Sequence, residues 1–239
     1  MRDYFKSSRS GTYGFLAAIP LVLIYEFVMF SSNSQIQVSS GAWIKTFLGN
    51  INIIGNLALF LALITMGVII YTNERKEEYD LKLSYFGGMI AESIILAPIF
   101  AVTVGWITYE LLNPQELVGL SAATQELGTS RFVLFGLSCG AGVYEEFLFR
   151  VLLFGSLLLV MTRFVGSKWI SFIIAAIVSS LIFSWIHYLG PMGDTFQWTS
   201  FIFRAIAGLA FTILYKLRGF GIAAWTHAIY DIMVLVRTS

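Results

Sequence analysis

The chain has 239 residues, 57% of them hydrophobic and only 12% charged, with a formal net charge of +1. A soluble domain carries about 25% charged residues, so this composition excludes a water-covered surface and points to the bilayer as solvent. The balanced charge leaves no basic patch for nucleic acid, and the single cysteine, Cys139, excludes a disulfide framework.

In chain order, apolar runs of membrane-spanning length fall at 12–31, 52–72, 85–111, 131–163, 168–189, 196–216 and 219–236. A backbone in lipid must satisfy its own hydrogen bonds, so each run is predicted as a helix. The expected fold is all-α: a polytopic transmembrane helix bundle of about seven spans. It forms a single integral membrane domain over 1–239, with N-terminal spans in 1–130 and a motif-bearing core in 131–236. The first run follows Arg2, Lys6 and Arg9, as in a signal peptide. It is too long for a signal and no small-x-small site closes it, so it reads as a retained anchor. The segment NERKEEYDLK (73–82) is a mixed charge run expected to be a solvated loop. Pro98 can bend the third span, and Gly136, Gly140 and Gly142 can loosen the long fourth one. A fourth span broken in two makes the total eight.

Basic residues favour the unbroken form. With seven spans and a cytoplasmic N-terminus, the inner segments hold Arg2, Lys6, Arg9, Arg75, Lys76, Lys82, Arg163, Lys168, Lys216 and Arg218. The outer segments hold Lys45, Arg131 and Arg237. Lys and Arg accumulate on the cytoplasmic side, and a break would flip every later loop.

The ionisable residues within the spans are Glu26, Glu92, Glu145, Glu146, Arg150, His187, Arg204, His227 and Asp231. Each costs about 2.5–3.5 kcal/mol at a helix centre, so they face the bundle interior or line a wet cavity. In GVYEEFLFRVLLFG (142–155), Glu146 and Arg150 stand i,i+4 and can form an ion pair. Glu145 lies about 100° round the helix and projects elsewhere, free for chemistry. The bland alternative is one buried charge cluster that only fixes helix packing. Both histidines of the chain also lie in spans, in FSWIHYLG and WTHAIYDIM. His227 and Asp231 are again i,i+4, so the carboxylate can orient the ring. Glu145, His187, His227 and Asp231 on three helices can converge to activate water and stabilise an oxyanion. Two histidines and a carboxylate are also a zinc set, so zinc on Glu145, His187 and His227 is a candidate, although HExxH is absent. Glu26, Glu92 and Arg204 either pair between helices or wall a substrate cavity.

Read together, EEFLFR fits EExxxR, FSWIH fits FxxxH and HAIYD fits HxxxD/N. In that order on late membrane helices, they resemble the motifs of the CPBP family of intramembrane proteases. That family includes CAAX prenyl proteases and bacterial proteins grouped with bacteriocin processing and self-immunity. The resemblance spans 131–236. It implies an endopeptidase in a bacterial or archaeal plasma membrane, cleaving near the terminus of a membrane-associated protein or peptide. It implies Glu145 as the base, Glu146 and Arg150 as its support, and His187 as a second group activating water. His227 and Asp231 fall on the oxyanion side, and the choice between metal and metal-free chemistry stays open. An ionised Asp231 cannot donate to an oxyanion, so it is expected to hold His227 instead. With seven spans Glu145 lies about 21 Å along its helix from the Arg131 end. The pocket then opens outward, whereas the eukaryotic prenyl proteases that this resembles are reached from the cytosol. Two other functions fit the same residues: a proton-coupled transporter with a Glu/His relay, and a non-catalytic membrane immunity or scaffold protein.

Overall fold

The computed structural model describes residues 2–32, 54–74, 81–112, 130–189 and 193–236, with no strand among them. The helices are α1 (Arg2–Ser8), α2 (Gly11–Ser32), α3 (Ile54–Glu74), α4 (Leu83–Leu111), α5 (Arg131–Phe164), α6 (Lys168–Ile186), α7 (Trp198–Arg218) and α8 (Phe220–Asp231). A wide π turn, Ile232–Val236, extends α8. Five of them, α2, α4, α5, α6 and α7, are long and apolar enough to cross a membrane. Large apolar side chains such as Phe30, Leu83 and Phe164 face outward from the bundle. The protein is an integral membrane helical bundle. Each of the seven expected spans carries a helix, and α5 runs unbroken through its glycines, so no eighth span arises there. Lys45, Arg75, Lys76 and Arg237 lie outside the described residues.

Local chemistry sets the ends. Ser130 and Ser167 cap α5 and α6, each side chain accepting a backbone N–H three residues on. Gly166, at φ 69°, turns the chain between them in the left-handed region that favours glycine. At the other end of α2, Gly11 and Thr12 donate their N–H groups to the Glu74 carboxylate at 2.9 and 2.8 Å. A carboxylate there satisfies orphan donors and the helix dipole together. Glu74 belongs to the 73–82 charge run, so that run is not merely solvated; Lys82 also gives its backbone N–H to the Tyr13 hydroxyl at 2.8 Å.

The short helix α1, not expected from hydropathy, packs on α4. Tyr4 donates to Glu92 at 2.8 Å, and Arg218 reaches both Glu92 (2.8 Å) and Ser8 (2.9 Å). Burial first, and the Glu92 carboxylate second, push the Tyr4 hydroxyl up to about 12. These contacts, with Arg9 donating to the Lys216 carbonyl at 3.4 Å, bring Arg9, Lys82, Lys216 and Arg218 to one end of the bundle. Four of the basic residues expected on one side of the membrane thus share one end of the bundle.

Helix α8 occupies the centre and packs against α2, α4, α5 and α7. Its residues Phe220–Ala224 and Thr226–Ala228 are all buried, as expected for a helix apolar on every side. Small residues allow the approach: an added Cβ on Gly142 of α5 would stand 2.5 Å from the Ala224 carbonyl and 2.7 Å from the Ala228 methyl. On the opposite flank, a Cβ on Gly221 would stand 2.9 Å from Gly14 of α2. Such close backbone packing replaces the hydrophobic drive that lipid removes. Gly142→Ala is therefore expected to cost roughly 1–3 kcal/mol by overpacking. Gly105→Ala, with nothing within 4 Å, is expected to be neutral or slightly stabilising. Thermal unfolding of the two variants in detergent checks the contrast.

Candidate active site

The EExxxR segment does not sit on a regular α-helix. Ala141–Glu145 and Phe147–Phe154 are π-helical, so α5 widens where its charged residues lie. Wide turns of this kind gather at functional sites, because they re-aim side chains that a regular helix would stack. The i,i+4 ion pair still forms. Arg150 Nε lies 3.1 Å from Glu146 Oε2, with both side chains at most 1% exposed.

Glu146 is the hub of the site. Its Oε1 accepts from His227 Nδ1 at 2.7 Å, joining α5 to α8. Asp231 stands farther off, with Oδ2 3.6 Å from His227 Nε2. That separation is beyond hydrogen-bond range. Glu146 makes the hydrogen bond to His227, while Asp231 stands at ion-pair range of the opposite nitrogen, as its i,i+4 spacing allows. Aromatic plates complete the joint. The Arg150 guanidinium lies 4.6 Å over Phe183, the first residue of the FxxxH motif, and 5.5 Å over Phe211 of α7. Phe211 in turn stacks on the His227 ring at 4.5 Å and 20°. Arg150 also donates to the Gly208 carbonyl at 3.4 Å, so all three motifs and α7 meet around one buried cation.

Glu145 differs from its neighbour. It is 5% exposed, and among the described residues its carboxylate makes no hydrogen bond. The charges that reach it are those of His227, Arg150, Glu146 and Arg204. His187 follows the last residue of α6, where its Nδ1 lies 2.8 Å from the Phe183 carbonyl. A carbonyl only accepts, so Nδ1 carries the proton and Nε2 of the neutral ring is left with its lone pair. His187 and His227 are within electrostatic reach of one another. The structure therefore gathers Glu145, Glu146, Arg150, His227 and Asp231 closely, with His187 at the rim.

Other expectations fare differently. Glu26, Glu92 and Arg204 do not pair with each other. Glu92 belongs to the distant Arg218 cluster, and Glu26 accepts from the Tyr144 hydroxyl at 3.1 Å. Arg204 joins the site rim, where it forms an ion pair with Asp194 and lies 5.3 Å over the Tyr188 ring. Asp194, Tyr188 and Phe211 had no signal in the sequence. Among the described residues, no three His, Cys, Asp or Glu side chains are grouped to hold a metal ion. With His227 Nδ1 on Glu146 and His187 Nδ1 on a carbonyl, Nε2 is the nitrogen that each ring could offer to a metal.

Residues 128–233 match the family described as Type II CAAX prenyl endopeptidase Rce1-like. No curated protein and no solved structure gives a significant match. The family match covers the three motifs and bears out the resemblance they carry.

The hub predicts a sharp asymmetry between variants. Glu146→Gln leaves Arg150 buried without its counter-ion and is expected to cost about 3–5 kcal/mol. Adding Arg150→Met removes the stranded charge, so the double variant is expected to melt higher than Glu146→Gln alone. Melting both in one detergent reads the coupling; a double variant less stable than the single would refute the pairing.

Proposed function

From the match of residues 128–233 to the Type II CAAX prenyl endopeptidase Rce1-like family, we propose that this protein hydrolyses a peptide bond near the terminus of a membrane-associated protein or peptide. One observation carries the assignment of roles. Of two adjacent buried glutamates, Glu146 is engaged by Arg150 and His227, while Glu145 has no hydrogen-bond partner among the described residues.

In this reading Glu145 takes a proton from water, and the water oxygen attacks the scissile carbonyl. His187 Nε2 accepts the second water hydrogen as a hydrogen bond and so fixes the attacking lone pair. His227, with Glu146 on one nitrogen and Asp231 facing the other, holds positive charge where the tetrahedral oxyanion develops. Glu145 then returns its proton to the leaving nitrogen as the C–N bond breaks. No step calls on a metal. A chelator arm in the assay separates this mechanism from a metal-bound water.

Glu145→Gln, His187→Ala and His227→Ala are each expected to lower cleavage by at least about 100-fold, the scale of losing an acid–base or oxyanion group. The variants should still insert and accumulate. Comparing membrane-protein termini in cells carrying wild-type protein and Glu145→Gln identifies the substrate; near wild-type cleavage by any variant removes that residue from the mechanism.

The site rim lies at the end of the bundle opposite the basic cluster of Arg9, Lys82 and Arg218. We place that rim on the outer face, with the N-terminus in the cytoplasm. Cys139 is buried, so a new surface cysteine gives a clean signal. Thr195→Cys is expected to react with a membrane-impermeant thiol reagent from outside intact cells. Labelling from the cytoplasmic side alone reverses the orientation.

A further inference from the structure

Arg204 lies outside all three motifs, yet its charge acts on both Glu145 and His187. It stands at the mouth, with a side chain 25% exposed beside an Asp194 that is 55% exposed. Asp194 holds Nη2, which orients the guanidinium. The other amino group, Nη1, is buried and has no partner among the described residues. Arg204 also lies 5.3 Å over the ring of Tyr188, the residue after His187, and the Tyr188 hydroxyl is likewise buried without a partner. Two unsatisfied donors at one mouth are costly unless something accepts from them. A guanidinium with one arm fixed and the other buried without a partner among the described residues calls for an acceptor, and a carboxylate matches its planar fork.

We infer that Arg204 Nη1 and the Tyr188 hydroxyl form a carboxylate subsite that binds the free C-terminal carboxylate of the peptide whose bond is cleaved at Glu145. The inference rests on the proteolytic reading above and adds how the scissile bond is chosen. An anchor for the chain end at the mouth, with the reacting groups deeper in, measures cleavage from the terminus rather than from a side-chain sequence. The rings of Phe196 and Phe201, 5.0 and 6.3 Å from that of Tyr188, wall the anchor on its apolar side.

The test uses the full chain carrying Glu145→Gln, in detergent, and a fluorescent prenylated peptide ending in a cysteine and three further residues. One form has a free carboxylate and the other a carboxamide. Anisotropy at low salt is expected to show the acid form bound at least about tenfold more tightly, the order of a charge-assisted hydrogen bond. Adding Arg204→Gln should erase that preference, and Arg204→Lys should keep part of it. A fold defect alone cannot move the ratio of two ligands that differ only at the terminus. Equal affinity for both forms, a preference that survives Arg204→Gln, or no binding of either overturns the subsite. Cleavage by the Glu145-intact chain is read separately. An acid preference in binding without cleavage defeats the proteolytic reading and leaves the subsite standing; equal cleavage of both forms defeats the subsite alone.

Discussion

The rest of the site depends on one carboxylate. Glu146 is fully buried and touches both Arg150 and His227. In a low-dielectric interior none of these groups is tolerable alone, so the cost of each is offset only by the others. This mutual need welds α5 to α8. It also fixes which face of α5 remains for Glu145, and it seats Arg150 against the aromatic rings that α6 and α7 supply. The geometry separates two adjacent residues: Glu146 is held by Arg150 and His227, whereas Glu145 makes no hydrogen bond among the described residues.

Packing around α8 makes that cluster reachable. Lipid offers apolar side chains no reason to leave it, so the helices must gain by close contact. Gly142 and Gly221 bring α5 and α2 onto opposite flanks of α8, and Gly208 lets the Phe183 ring and the α6 backbone press on α7. The same approach shortens the gap between Glu146 and His227 to hydrogen-bond length. Glycine at these places serves the chemistry by subtracting atoms.

What the sequence displays is what lies along one helix. The Glu146–Arg150 pair was legible because four residues return to the same face, and it forms although the turns are widened. The helices were legible because hydropathy is a local quantity. Contacts between helices were not, since a sequence does not state how one helix is rotated against another. Hence the Glu146–His227 bond had no signal, and neither had the partners that Glu92 and Glu26 find on other helices, Arg218 and Tyr144. Phe211 is one of 21 phenylalanines, so nothing marked it as the plate shared by Arg150 and His227. Glu74 was hidden inside a run of charges that looks like any solvated turn.

A single residue, Gly219, joins α7 to α8, at φ 81° with its α-carbon side against the Arg9 backbone. There is no slack in that joint. The position of His227 is therefore a count from a pinned corner, and one inserted residue before it would swing the imidazole by about 100° and displace it by about 1.5 Å. The stretch from Gly219 to His227 thus behaves as a ruler that sets where the imidazole meets Glu146.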